Sequence, residues 1–113
     1  MLEKEIEDHI KDYVADLGGC CLKLRIDGQN GYPDRTVMLP NTPSFTIEFK
    51  TPTGKPSDKQ LFWHDTLWGL GQKNFIVDNA EDAEAIVDVG GLVYKLPICI
   101  YRRTVDQYLQ PTN

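Results

Sequence analysis

The apolar residues of this chain change their period at Gly18-Gly19, and that change constrains the fold more than any other single feature. Before the glycine pair, Ile6, Ile10, Tyr13 and Leu17 recur at spacings of four, three and four, one stripe of a helix running from Glu3 to Leu17. The two glycines stop it. After them, Leu22, Leu24 and Ile26 alternate with Cys21, Lys23 and Arg25, the period of a strand with one core face and one basic face. A helix that hands over directly to a strand calls for a sheet with helices packed on it.

The rest of the chain continues in that sense. A turn-rich loop from Asp27 to Pro33 precedes two strands, Thr36 to Leu39 and Ser44 to Lys50, whose short connection Pro40-Asn41-Thr42-Pro43 predicts an antiparallel hairpin. Ser57 is placed to cap a helix running to about Leu70, with Trp63, Leu67 and Leu70 on its buried side. A strand over Asn74 to Asp78, an acidic helix over Glu81 to Asp88 capped by Asn79, and a final strand over Leu92 to Tyr101 complete the order. The expectation is an α/β fold, a mixed β-sheet flanked by helices, in a single domain spanning all 113 residues.

No uncharged stretch approaches the roughly 18 to 20 apolar residues of a membrane span, and the acidic N-terminus lacks a signal-peptide layout. A soluble, unexported, cytoplasmic protein is expected. The three cysteines, Cys20, Cys21 and Cys99, have no CxxC or Cys/His spacing for zinc and read as free thiols. The net charge of −5, taken as a total, opposes a nucleic-acid partner, but it is unevenly spread. Residues 1–19 carry six acids and two bases and residues 76–90 five acids and no base, whereas residues 20–75 hold five acids and seven bases and residues 91–113 one acid and three bases. A basic working face is compatible with that distribution.

The hairpin brings chemistry together. If Leu39 and Ser44 are opposed, Asp34 lies opposite Phe49 and Arg35 opposite Glu48, so Asp34 falls beside both Glu48 and Lys50, and a slip of one residue preserves the convergence. Two carboxylates at close range repel, and a divalent cation with oxygen ligands relieves them, magnesium best of all with manganese as a substitute. Such an ion polarises a phosphoryl group and acidifies water, and a neighbouring lysine offsets charge in the transition state. These are the parts of a phosphodiester hydrolase.

Pro33-Asp34 followed by Glu48-x-Lys50 resembles the PD-(D/E)xK nuclease superfamily, whose fold is restriction-endonuclease-like with an αβββαβ core. Within it, Gly31-Tyr32-Pro33-Asp34-Arg35, Glu48-Phe49-Lys50, the pair Lys55-Pro56 and the trailing Gln60 look like the VRR-NUC domain, in the stand-alone form found in phages. The resemblance covers a core of about residues 3–78 and leaves residues 89–113 as a C-terminal extension, where Tyr94, Lys95, Tyr101, Arg102 and Arg103 are candidates for dimer or DNA contact. It implies Asp34 and Glu48 as metal ligands, the Phe49 carbonyl as another, Lys50 as the catalytic lysine and Gln60 as a supporting residue. It also implies a glutamate on the first helix. Glu3, Glu5 and Glu7 are available; Glu3 continues the apolar stripe and alone points at the sheet, with Glu7 second. Stand-alone relatives act as homodimers on branched DNA, so the function implied is a metal-dependent DNA endonuclease selective for structures such as four-way junctions. The alternative is a non-catalytic DNA-binding module on the same fold.

Several residues have plainer roles. Ser57-Asp58-Lys59-Gln60 is a capping box, which gives Gln60 a structural task compatible with the functional one. His64, Trp63 and Trp68 read as packing residues, the acids of residues 81–88 as a solvated face, and Cys20 and Cys21 as unactivated thiols.

Overall fold

A computed structural model of the chain describes residues 2–24, 26–28 and 30–91. The order is α1 (Glu3–Asp16), β1 (Cys20–Leu22), β2 (Arg35–Met38), β3 (Phe45–Phe49), α2 (Asp58–Gly69), β4 (Asn74–Val77) and α3 (Ala80–Asp88). The strands form one mixed sheet in the order β1-β2-β3-β4, antiparallel across the first two pairs and parallel across β3 and β4, which α2 connects. The expected α/β class and the order of elements stand. The final strand expected over Leu92 to Tyr101, with the rest of the C-terminal extension, lies outside the described residues.

The main core fills one face of the sheet. Ile6, Ile10 and Val14 of α1 and Ala83, Ile86 and Val87 of α3 pack on Cys21, Val37, Phe45, Ile47, Phe49, Phe75 and Val77, all buried. Helix α2 lies on the opposite face over β4, burying Leu61, His64 and Leu67. With helices on both sides, all five residues of β3 are buried, including Thr46 and Glu48, which alternation alone places on a polar face. Thr46 is satisfied locally: its Oγ1 donates to Asn74 Oδ1 at 2.6 Å, and Asn74 Nδ2 lies 2.9 Å from His64 Nδ1. His64 is thus a packing residue, fully buried.

Four local expectations are corrected. The buried stripe of α1 runs through Ile6, Ile10 and Val14, while Tyr13 is only half-buried and Leu17, past the helix end, is exposed. In β1 the faces are exchanged: Cys21, paired with Val37, turns to α1, and Leu22 is 42% exposed, because no helix among the described residues covers the outer side of this edge strand. The regular strand also ends at Leu22, so Leu24 and Ile26 belong to the following loop and are exposed. In α2 the buried side is Leu61, His64 and Leu67; Trp63 is half-buried and Leu70, the C-cap, is 78% exposed. Two polar anchors, from Gln60 to Glu48 and from His64 to Asn74, fix which side of that helix meets the sheet.

The acidic face of α3 is also less solvated than expected. His9 Nε2 lies 3.1 Å from Glu84 Oε2, and the Tyr13 hydroxyl donates to Asp88, a bond that pushes the phenol pKa up to about 12. Asn79 caps α3 as expected, its side chain accepting from the Asp82 amide at 2.8 Å. Among the described residues no helix is long and apolar enough to cross a membrane.

Candidate active site

The hairpin sets the site. Arg35 pairs with Ile47, Thr36 with Thr46 and Val37 with Phe45, one residue out of step with the expected register. The cause is the turn. Asn41 adopts φ 55°, and Thr42 closes back on the Leu39 carbonyl at 3.3 Å, so the connection is centred on a single residue rather than between two. Extended by one step, this register sets Asp34 across from Glu48. The Asp34 side chain reaches the next amide along, and its Oδ2 accepts from Phe49 N at 2.9 Å.

Glu48 is 3% exposed and its two oxygens are treated differently. Oε1 accepts from Gln60 Nε2 at 2.7 Å, while Oε2 is buried without a hydrogen-bond partner among the described residues. Burial above all, and then the Asp34 carboxylate beside it, pushes the Glu48 pKa up to about 10 against the opposing pull of Lys50. The charge of Glu3 adds a smaller upward push, which places the N-terminus of α1 in the same electrostatic neighbourhood. Lys50 is half-buried at the end of β3, its backbone amide donating to the Val77 carbonyl at 2.8 Å and its side chain lining a small cleft with Ile76 and Asp78.

Gln60 performs two tasks with one amide. Its Oε1 accepts from Ser57 N at 2.8 Å while its backbone amide donates to Ser57 Oγ at 3.2 Å, which closes the capping box, and its Nε2 is left to hold Glu48. Gln60→Ala removes both, and a loss of about 1 to 2 kcal/mol of stability is expected in urea unfolding. The loop carrying Asp34 is held against the same helical turn. Gly31 has φ +85°, and a Cβ there would stand 2.7 Å from the Lys59 carbonyl carbon and 2.9 Å from Gln60 N. Tyr32 meets Trp63 edge-on, with ring centroids 5.1 Å apart. Gly31→Ala therefore strains the backbone and separates loop from helix, and a loss of about 2 kcal/mol or more is expected, read as a lower urea midpoint.

Of the helix glutamates, Glu5 is exposed and Glu3 is partly exposed. Glu7 corrects the expectation that Glu3 alone faces the sheet. It is 9% exposed and its Oε2 accepts from Arg35 Nε at 2.5 Å, with Lys23 Nζ 3.9 Å away. Arg35 Nη1 in turn donates to the Cys21 carbonyl at 3.2 Å. Sequence reasoning missed this pair, whose members stand 28 positions apart with no local pattern joining them. Cys21 is buried and its thiol pKa is pushed up to about 11, unsuited to nucleophilic work, and Cys20 is exposed.

Among the described residues no three His, Cys, Asp or Glu side chains are grouped so as to hold a metal ion between them. The donor set nevertheless fits a hard cation. It consists of carboxylate oxygens, one of them buried and lacking a donor, and magnesium commonly takes only one or two protein carboxylates and keeps its waters.

A mixed sheet with Asp34 at the start of one hairpin strand and Glu48-Phe49-Lys50 at the end of the other defines a domain of the PD-(D/E)xK nuclease class. No family model matches the chain. It is 37% identical over 79 residues to "Putative nuclease p44" of Acyrthosiphon pisum secondary endosymbiont phage 1, an alignment spanning 70% of this chain and 85% of that protein. A solved VRR-NUC domain superposes with a TM-score of 0.70 at 28% identity, covering 76% of this chain and 94% of the other. A second VRR-NUC domain protein, 12% identical, shares the fold with a TM-score of 0.66 over 80% of this chain and 88% of its own. The chain belongs to the VRR-NUC family of nuclease domains.

Proposed function

We propose that this chain is a magnesium- or manganese-dependent DNA endonuclease that hydrolyses phosphodiester bonds, acts as a homodimer and prefers branched DNA such as four-way junctions. The observation that carries the reading is Glu48, a buried carboxyl with one oxygen lacking a donor, set against Asp34 and next to Lys50 on a VRR-NUC sheet. Binding DNA alone gives no reason to bury an acid beside another acid on a surface meant for a polyanion. The family and the phage relative's description support the nuclease class.

Asp34 and Glu48 would hold the metal, with the Phe49 carbonyl and Glu3 completing the protein's share. Once bound, the ion supplies Lewis acidity toward a phosphate oxygen and lowers the pKa of water. The protein does the positioning. The Phe49 amide fixes one Asp34 oxygen, and Gln60 fixes one Glu48 oxygen, so that the remaining oxygens share one locality. Lys50 carries a positive charge to the same place, where it hydrogen-bonds a phosphate oxygen and offsets charge developing in the transition state. Lys55 and Lys59, exposed around the first turn of α2, are available to neighbouring phosphates.

The test is cleavage of labelled four-way junction, flap, single-stranded and duplex DNA with magnesium, with manganese and with EDTA. Metal-dependent cutting, with paired nicks at the junction and elution as a dimer, is expected. A folded protein that binds DNA but cuts none of the four would establish the binding module instead.

A further inference from the structure

We infer that Tyr32, Trp63 and Phe62 form an aromatic ledge beside the Asp34–Glu48 pair that stacks on an unpaired base of the DNA, an inference that rests on the nuclease reading above. The three rings touch in a row. Tyr32 meets Trp63 edge-on with centroids 5.1 Å apart, and Trp63 meets Phe62 edge-on at 5.9 Å. The row starts at the site. Tyr32 stands two residues before Asp34, whose carboxylate accepts from the Phe49 amide. Trp63 stands three residues after Gln60, whose side chain holds Glu48. Gly31 lies against the backbone of Lys59 and Gln60 too closely to admit a Cβ, so the loop carrying Tyr32 and the helix carrying Trp63 are fixed to one another and to the carboxylates.

The outer end of the row has no task in the core. Phe62 is 62% exposed, the one aromatic ring among the large apolar side chains that stand exposed in the described residues. Burial of Leu61, His64 and Leu67, together with the bonds from Gln60 and His64, turns this position of α2 away from the sheet. Tyr32 and Trp63 are half-buried, so each offers part of its ring as well. Leu24 and Ile26, both exposed, line an open recess with Tyr32 and prolong the apolar strip along the loop.

Charge decides which part of the DNA meets which part of this surface. Lys55 and Lys59 stand exposed at the start of α2, where the helix end is itself positive, and suit phosphates. Phe62 has Asp58 one turn before it and Asp65 one turn after, so its own surround does not draw a phosphate. What fits the ring is the uncharged face of a base. Within a duplex both faces of each base are covered by its neighbours, and an unpaired or unstacked base leaves one open. The ledge therefore selects DNA with an unpaired base near the scissile phosphate: a single strand, a flap or an opened branch point.

The experiment measures the affinity of the full-length chain for single-stranded, flap and plain duplex DNA of one sequence by fluorescence anisotropy, with Ca2+ in place of magnesium. The same strands, carrying 5-iodouracil in the unpaired segment, are photocross-linked and the attached residue is mapped by mass spectrometry. Wild type is compared with Phe62→Ala, Phe62→Leu and Phe62→Trp, each checked by thermal melts; the position is exposed, so none of the three disturbs the core. Wild type is expected to prefer the single strand and the flap over the duplex and to cross-link at Phe62 or Trp63. Phe62→Ala and Phe62→Leu are expected to lower that preference about tenfold, and Phe62→Trp to keep it. Leucine supplies apolar area without a π-face, so a Phe62→Leu chain that keeps the full preference sinks the ledge. Cross-links confined to other parts of the chain do the same. If Phe62→Ala turns a dimer into a monomer and leaves the preference intact, Phe62 is a contact between two copies and not a seat for a base. In each of these cases metal-dependent cutting by wild type leaves the nuclease reading standing. A wild-type chain that neither binds nor cuts any of the three DNAs overturns that reading together with the ledge.

Discussion

Replacing Lys50 by alanine is expected to lower DNA cleavage by at least about a hundredfold without changing the fold or abolishing metal binding. Lys50 is half-buried at the end of β3, and its backbone bond to Val77 does not depend on the side chain, so the truncation leaves the sheet intact. What it removes is the one positive charge among the described residues that lowers the Glu48 pKa. Asp34→Ala is expected to lose cleavage to the same degree, but for a different reason. It removes a carboxylate proposed as a metal ligand and frees the Phe49 amide, so Mn2+ affinity is expected to fall with it. The two variants together separate chemistry from metal binding: Lys50→Ala should bind Mn2+ and fail to cut, Asp34→Ala should do neither. Full activity in either would remove the mechanism.

The second large effect concerns pH. The Glu48 carboxyl titrates near 4.5 when unfolded and is pushed up to about 10 in the folded chain without metal. Between those values the unfolded chain has lost this proton and the folded chain keeps it. Stability that is fully present below pH 4.5 is therefore lost progressively as the pH rises toward 10, at up to about 1.4 kcal/mol per pH unit. Thermal melts in EDTA should show a midpoint that falls between pH 5 and pH 9. Glu48→Gln, which keeps the shape and accepts from Gln60 without ionising, should be more stable than wild type at pH 8 in EDTA and should lose this part of the slope. Saturating magnesium or manganese should flatten the wild-type curve, since the cation takes the place of the proton. A wild-type slope identical to that of Glu48→Gln would show that Glu48 is ionised at neutral pH even without metal.

The order of elements and the pairing of the hairpin were legible because they follow from local rules. The period switch at Gly18-Gly19, the Ser57 and Asn79 caps, and the Pro40 to Pro43 connection each depend on a few neighbouring residues, and the structure has helix and strand boundaries within a few residues of those expected. Which side of each element is buried was less legible, because it is a property of pairs of elements. Leu22 alternates correctly and still faces outward, since among the described residues β1 is an edge strand and the helix packed on it, α1, lies on the Cys21 side. Leu70 fits the stripe of α2 and stands in solvent, because Gln60 and His64 turned that helix by their bonds to Glu48 and Asn74. At the candidate site, Asp34, Glu48 and Lys50 could be grouped from the motif, whereas Glu7 with Arg35 needed three dimensions. Their separation of 28 positions carries no periodic signal.

The turn at Asn41 has a bearing on how the chain tolerates change. It is distant in sequence from Asp34 and Glu48, touches neither, and consists of residues that surface loops ordinarily exchange freely. Yet the strands leaving it run straight to the two acids, so the number of residues in the turn is the length of a measuring rod laid along both. Inserting or deleting one residue there would leave the sheet able to form while sliding Asp34 past Glu48 by a step and reversing the side toward which its neighbours point. Substitutions at this tip should be cheap and changes of length expensive, an asymmetry opposite to that of most surface loops.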